Sequence, residues 1–217
     1  MSTAIIGVGA IGGTLARLLV DGGQRVVLAS HDQSQAASLA DKLGERAVAA
    51  SVKNAIAQAD VIVLAVRFDV LKELIADYAD LLSGKVVVDP SNALEVDDKG
   101  NFTPLLPQGQ SAGSVIAGLL PANVHYVKAF GTLPAELLAS GANRTPQRAV
   151  LFYATDDEQA AAAAERLITA AGFDPVKAGG VRDAGRVEVF GDLHPFGGLD
   201  GRLVTTEEAH SAIAASK

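Results

Sequence analysis

Short apolar runs alternate with stretches of helical periodicity along the whole chain. Thr3–Gly7, Arg25–Ala29, Ala47–Ala49, Val61–Val66, Lys85–Asp89, Val124–Phe130 and Ala149–Tyr153 read as strands, with a weaker one at Asp174–Ala178. Most are continuous in Val, Ile and Leu, which predicts strands covered on both faces. Between them, Ile11, Leu15, Leu18 and Leu19 mark one helical stripe, closed by Gly22-Gly23. Leu39 and Leu43 mark a second, and Val70, Leu71, Leu74, Ile75 and Tyr78 another. Thr155-Asp156-Asp157-Glu158 reads as a capping box ahead of an Ala-rich helix over Gln159–Ala171, which Gly172 ends. From about Gly179 the pattern changes. Val181–His194 reads as one helix with Val187, Phe190 and Leu193 on a face, a Gly-rich loop follows at Pro195–Gly201, and Thr205-Thr206-Glu207-Glu208 caps a last helix. This alternation predicts an α/β fold: a doubly wound parallel sheet over residues 1–178 and a small helical C-terminal appendage over 179–217.

Composition narrows the classes. Hydrophobic residues make up 49% of the chain and charged ones 20%, enough for a well-filled core. The formal net charge of -7 leaves no basic excess for nucleic-acid phosphates. The absence of cysteine excludes disulfides, thiol nucleophiles, iron–sulfur clusters and thiolate zinc sites. No stretch approaches the roughly 20 apolar residues of a membrane helix, and the apolar start at Ala4–Val8 has no basic segment before it. The chain therefore reads as cytoplasmic, with no membrane partner. No His/Asp/Glu grouping has metal-ligand spacing, and Asp156-Asp157-Glu158 reads as helix-capping charge.

Gly7-Val8-Gly9-Ala10-Ile11-Gly12 is a GxGxxG sequence between a buried strand and an amphipathic helix, with a second strand at βαβ spacing. In that setting the first glycine permits the tight turn, the second lets a pyrophosphate approach the backbone, and the third lets helix and sheet pack closely. The anion then sits on the helix N-terminus. The loop predicts binding of NAD(P). The end of the second strand selects between the two forms, because an acid there holds a free ribose 2′-hydroxyl. Here Ser30 takes that place, followed by His31 and Asp32. Ser30 and a partial charge on His31 favour NADP(H), Asp32 opposes it, and NAD(H) stands as the alternative.

With these features in hand, the chain resembles the NADPH-dependent oxidoreductases of the deazaflavin coenzyme F420. The likeness is carried by Ile6–Gly12, Ala59–Val66, Val86-Val87-Val88-Asp89-Pro90-Ser91-Asn92, Val127-Lys128-Ala129-Phe130-Gly131-Thr132-Leu133-Pro134 and Asp183-Ala184-Gly185. The resemblance implies a Rossmann domain with a small helical C-terminal part, a homodimer, and hydride transfer between nicotinamide and a deazaflavin stacked in one cleft. By position, Gly7, Gly9, Ala10, Ile11 and Gly12 would hold the pyrophosphate, and Ser30 and His31 would contact the 2′-phosphate. Val66, Arg67 and Phe68 would border the nicotinamide half, with Asn92 and Ala129 also assigned to the cofactor. Thr132 and Leu133 would lie by the nicotinamide and the small-molecule acceptor. Two departures stand out. The family often has Arg or Lys near the 2′-phosphate, where this chain has His31, Asp32 and Gln33. It usually has His or Asn before the Thr-Leu pair, where this chain has Gly131, which would leave room for a different or bulkier acceptor.

No catalytic dyad is evident, in keeping with a reaction that needs mainly a close, dry approach of donor and acceptor. His125 reads as structural, and His210 as exposed. His194 either caps a helix or lines the acceptor pocket. Asp89, Ser91 and Asn92 lie where open α/β sheets bind ligands, or else close a turn; Lys128 pairs with an acid or touches substrate. Two other readings accompany the deazaflavin one: an NAD(P)H-dependent reductase of an imine, ketone, flavin or metal chelate, and a non-catalytic NAD(P) sensor.

Overall fold

The computed structural model describes residues 1–97 and 102–215. The last two residues of the 179–217 region lie outside these. Each strand read from the sequence is present with edges shifted by at most two residues: β1 (Thr3–Ile6), β2 (Val26–Ala29), β3 (Ala47–Ala49), β4 (Val61–Leu64), β5 (Val86–Asp89), β8 (His125–Ala129), β9 (Val150–Ala154) and β10 (Asp174–Gly179). They form one sheet in the order β10-β9-β8-β5-β4-β1-β2-β3. The order reverses between β1 and β4, the switch point where such sheets open a crevice at their carboxyl edge.

Alternate residues of the continuous apolar strands serve two cores. Ile5, Val61, Val63, Val86, Val88 and Val127 face one layer, with Leu15 and Leu19 of α1 (Ala10–Asp21), Ala36 and Ala40 of α2 (Gln33–Leu43), and Ala163, Ala164 and Leu167 of α7 (Glu158–Ala170). Ala4, Ile6, Ile62, Leu64, Val87 and Tyr126 face the other, with Ile56 of α3 (Val52–Gln58), Leu71 and Ile75 of α4 (Phe68–Leu82), and Ile116 of α5 (Ala112–Leu119).

The structure departs from the sequence reading in four places. The sheet is parallel except at β8–β9, so β9 and β10 run against the rest. The connection from β8 to β9 contains only α6 (Ala135–Gly141). A short antiparallel hairpin, β6 (Leu94–Val96) with β7 (Phe102–Pro104), was not among the predicted strands. The α7 cap is Asp157, which accepts the Ala160 N–H at 2.8 Å. Thr155, read as the cap, instead donates its hydroxyl to the Tyr126 carbonyl at 2.6 Å.

Nor is Val181–His194 one helix. A 3-10 turn (Val181–Asp183) and α8 (Ala184–Val187) end at Glu188, whose backbone is extended. The carboxylate of Glu188 accepts the Ala112 and Gly113 N–H groups at 2.9 and 2.8 Å, and Val189 N–H goes to the Asn92 side chain at 2.8 Å instead of a helical carbonyl. Phe190 follows with a φ of 72°. Thr205 and Glu208 form the expected capping box at α9 (Thr206–Ala215). Leu193, Leu199, Val204 and Ala209 pack directly on Val150, Phe152 and Val176 of the sheet. Among the described residues no helix is long and apolar enough to cross a membrane.

Candidate functional site

The phosphate-type loop sits at the switch point. Gly7 has a φ of 96°, and a Cβ at Gly12 would lie 1.9 Å from the Gly7 carbonyl oxygen, so both positions demand glycine. Gly9 differs: a Cβ there meets nothing within 4 Å, because it would project into open space. Gly9 is also the N-cap of α1, which has no side-chain cap and no acid in its first turn. The unpaired N–H groups of that turn favour an anion. A groove of about 780 Å³ runs over this loop, bounded by Gly7, Gly9, Ala10 and Ile11, by Ser30 and His31, by Val66 and Arg67, and by Ser91 and Asn92. The Ser91 hydroxyl is buried there without a partner among the described residues.

At the end of β2, Asp32 is not among the residues that bound the groove. Its carboxylate caps α2, accepting from Ser34 Oγ at 2.6 Å, Ser34 N at 3.0 Å and Gln35 Nε2 at 3.1 Å. The Ser34 hydroxyl, then its amide, hold Asp32 below the usual carboxylate range. A shallower cavity of about 470 Å³ meets the groove at Val8 and Gly9 and continues between α1 and α2, lined by Arg17, Ser34, Ser38 and Lys42. Arg17 and Lys42 are exposed and have no acidic partner among the described residues. The sequence points to the residues after β2 for a cation, whereas Arg17 lies one turn beyond Gly13 on α1.

A third cavity, of about 760 Å³, shares Ile11, Arg67, Pro90 and Asn92 with the groove and extends to Phe68, Leu133, the β6–β7 hairpin and the C-terminal segment. Asn92 holds this junction together: its Nδ2 donates to the Gly131 carbonyl at 3.0 Å and its Oδ1 accepts from Val189 N. His194 is buried in the wall. Its Nδ1 accepts the Phe196 N–H at 2.9 Å, and burial pushes the ring's pKa down to about 4, so the imidazole is neutral. Phe196 packs on His194 and on Phe102 of the hairpin, with ring centroids 5.4 and 5.9 Å apart.

Not every predicted site residue reaches these cavities. Gly12 packs against Gly7 inside the loop, and Ala129 is buried in the core. Thr132 is buried, its hydroxyl without a partner among the described residues, but lies on neither cavity wall. Gly131 does border the third cavity, yet it does not enlarge it as the sequence reading expects. A Cβ there would lie 2.7 Å from the Pro90 carbonyl oxygen, so the two backbones already fill that space. Asp89 and Lys128 are structural. Lys128 Nζ lies 3.0 Å from Asp89 and 3.6 Å from Glu188 and also donates to the Ser91 carbonyl, while Tyr126 donates to Asp89 at 2.8 Å. His125 pairs with Asp157 at 2.7 Å. His210 is exposed. No group of metal-ligating side chains occurs among the described residues.

The model of a family described as NADP oxidoreductase, coenzyme F420-dependent, matches residues 2–93. The structure of a hypothetical protein from Sinorhizobium meliloti is similar at 30% identity and a TM-score of 0.79, over 89% of this chain and 93% of that one. A structure described as an F420-dependent NADP reductase from Arthrobacter sp. FB24 shares 24% identity with a TM-score of 0.73, over 85% and 87% of the two chains. A reductive aminase from Aspergillus terreus, in complex with NADPH and ethyl levulinate, shares the fold at 18% identity and a TM-score of 0.61; the match covers 83% of this chain and 55% of the aminase. No curated protein matches.

Proposed function

Because the chain belongs to the family of coenzyme F420-dependent NADP oxidoreductases, we propose that it transfers a hydride between NADP(H) and a deazaflavin. The observation that carries this reading is the pair of cavities meeting at Ile11, Arg67, Pro90 and Asn92. One runs over a phosphate-type loop, and the other is a mostly apolar space of the size that takes a planar ring system.

The residues present fit the dinucleotide. The open face of Gly9 and the uncapped first turn of α1 would receive the pyrophosphate. Ser91 Oγ, buried on the groove wall without a partner among the described residues, would hydrogen-bond the nicotinamide amide. Ser30 and His31, with Asp32 turned onto α2 and Arg17 and Lys42 in the adjoining cavity, favour the 2′-phosphate and therefore NADP over NAD. When bound, the cofactor supplies the hydride. The chain's part is to hold donor and acceptor close and dry, which Asn92 serves by fixing the junction between the cavities. The residues after Gly179 close the acceptor side. A second copy of the chain would cover the exposed Val96, Phe102, Phe190 and Phe196 around its mouth, making a cytoplasmic homodimer. A monomer in light scattering would remove that part of the reading.

The test follows nicotinamide absorbance with NADPH or NADH, with and without oxidised deazaflavin. Consumption of NADPH that requires deazaflavin supports the proposal. Consumption with an imine or flavin instead reassigns the acceptor, and tight NADPH binding without turnover makes the protein a sensor.

A further inference from the structure

We propose that His194 is a hydrogen-bond donor to the hydride acceptor, its Nε2–H directed at a conjugated carbonyl oxygen of the bound ring. The proposal rests on the two-cavity reading above and adds the residue that recognises the acceptor's polar edge. Three observations carry it. First, His194 is part of the wall of the 760 Å³ cavity, on the C-terminal segment. Second, the Phe196 N–H occupies Nδ1. A neutral imidazole whose Nδ1 accepts must carry its proton on Nε2. Third, no described residue pairs with Nε2, while the residue as a whole is only 1% exposed. An imidazole N–H on a cavity wall with no protein acceptor is available to a ligand.

The rest of the wall says what that ligand presents. Leu94, Phe102, Leu133, Val189 and Phe196 supply apolar surface, so a flat conjugated ring would pack among them with its carbonyl edge at His194. Among the described residues, the charges that border the cavity are Arg67, Asp69 and Glu95. Arg67 and Asp69 are paired with each other at 2.8 Å on the exposed side, which leaves His194 as the buried polar group suited to the ring. A neutral donor is apt here. It stabilises negative charge that builds on the oxygen as the ring takes up a hydride, while the proton that finally neutralises the ring comes from water.

The experiment uses the full chain with two variants. His194→Phe keeps the planar bulk and removes the donor, and His194→Gln restores an N–H donor. The readout that does not depend on turnover is binding of oxidised coenzyme F420, followed by its fluorescence, together with nitrogen NMR of the His194 ring. The wild type should hold the Nε2–H form from pH 5.5 to 8. His194→Phe should bind F420 about 10-fold more weakly and lose about 10- to 100-fold in kcat/KM, with NADPH affinity unchanged and much of the loss recovered in His194→Gln. A ring that titrates near 6.5, or His194→Phe binding F420 as tightly as the wild type, overturns the assignment of His194 alone. A wild type that binds no F420 overturns the deazaflavin reading and this proposal with it.

Discussion

The nucleotide groove and the acceptor cavity are neighbours built by opposite means. The groove is seated on local backbone: a loop turned by glycines, the open first turn of α1, and the ends of β2, β4 and β5, all within the first 92 residues. The cavity is assembled from separated stretches, after β4, along β5 to β7, after β8 and near residue 194. Side chains that bond to distant backbone groups hold them together: Asn92 joins Gly131 to Val189, and Glu188 joins the C-terminal segment to α5. A backbone site is destroyed by adding atoms to it, whereas a braced site is destroyed by taking a brace away.

The largest expected effect follows from the first half of that contrast. Gly9→Val adds a side chain where a Cβ meets nothing within 4 Å, so the fold should survive while the pyrophosphate approach is blocked. NADPH affinity should fall by about 100-fold or more, read by fluorescence titration, with the thermal midpoint shifted by no more than a few degrees. Gly12→Val should instead fail to fold, because its Cβ would overlap the Gly7 carbonyl. A Gly9→Val protein that binds NADPH normally would show that the loop does not seat the cofactor.

The second half predicts a stability effect with little change at the nucleotide. Lys128 is buried between Asp89 and Glu188, and Glu188 also anchors the segment that ends at the cavity wall. Lys128→Ala leaves two carboxylates without their cation, and removing one partner of such a buried group costs about 3–5 kcal/mol. Urea unfolding should show that loss, and NADPH affinity measured well below the transition should be unchanged. A loss under about 1 kcal/mol would mean that water enters and replaces the lysine, and that the brace is not where the cavity's order comes from.

The same contrast explains what could be read from the amino acids. β1, the glycine loop and α1 are consecutive, and each obeys a local rule, so the groove was legible down to Gly7, Gly9 and Ile11. The strand runs were legible too, because burial on both faces leaves an uninterrupted apolar signature. β9 looked parallel because strand direction leaves no mark on a buried apolar run. The hairpin escaped because each strand has only three residues, although the turn-prone run at 97–101 between two short stretches was a usable signal. Val181–His194 misled for a physical reason: its apolar spacing is helical, yet Glu188 and Val189 find better partners on α5 and Asn92 than a helix would give them. Gly131 misled in the same way, since a missing side chain opens space only if no other backbone has moved in. His194 could be named but not assigned, because its role depends on the backbone N–H two residues later.

The smallest effect tests where the groove's own electrostatics come from. In the sequence, the end of β2 offers the 2′-phosphate only Ser30 and His31. In three dimensions the adjoining cavity brings Arg17 of α1 and Lys42 of α2 to the same side of Gly9, while Asp32 is occupied on its own helix. Both cations are exposed, so each contact is worth only about 1 kcal/mol. Arg17→Ala should therefore raise the Kd for NADPH about 5- to 10-fold and leave that for NADH unchanged, with Lys42→Ala having the weaker effect. Added salt should shrink the difference between wild type and variant, because exposed charges are screened. Equal losses for both cofactors would move Arg17 from the 2′-phosphate to the pyrophosphate. No loss for either would return the discrimination to Ser30 and His31, and the groove would then read its cofactor from the strand end alone.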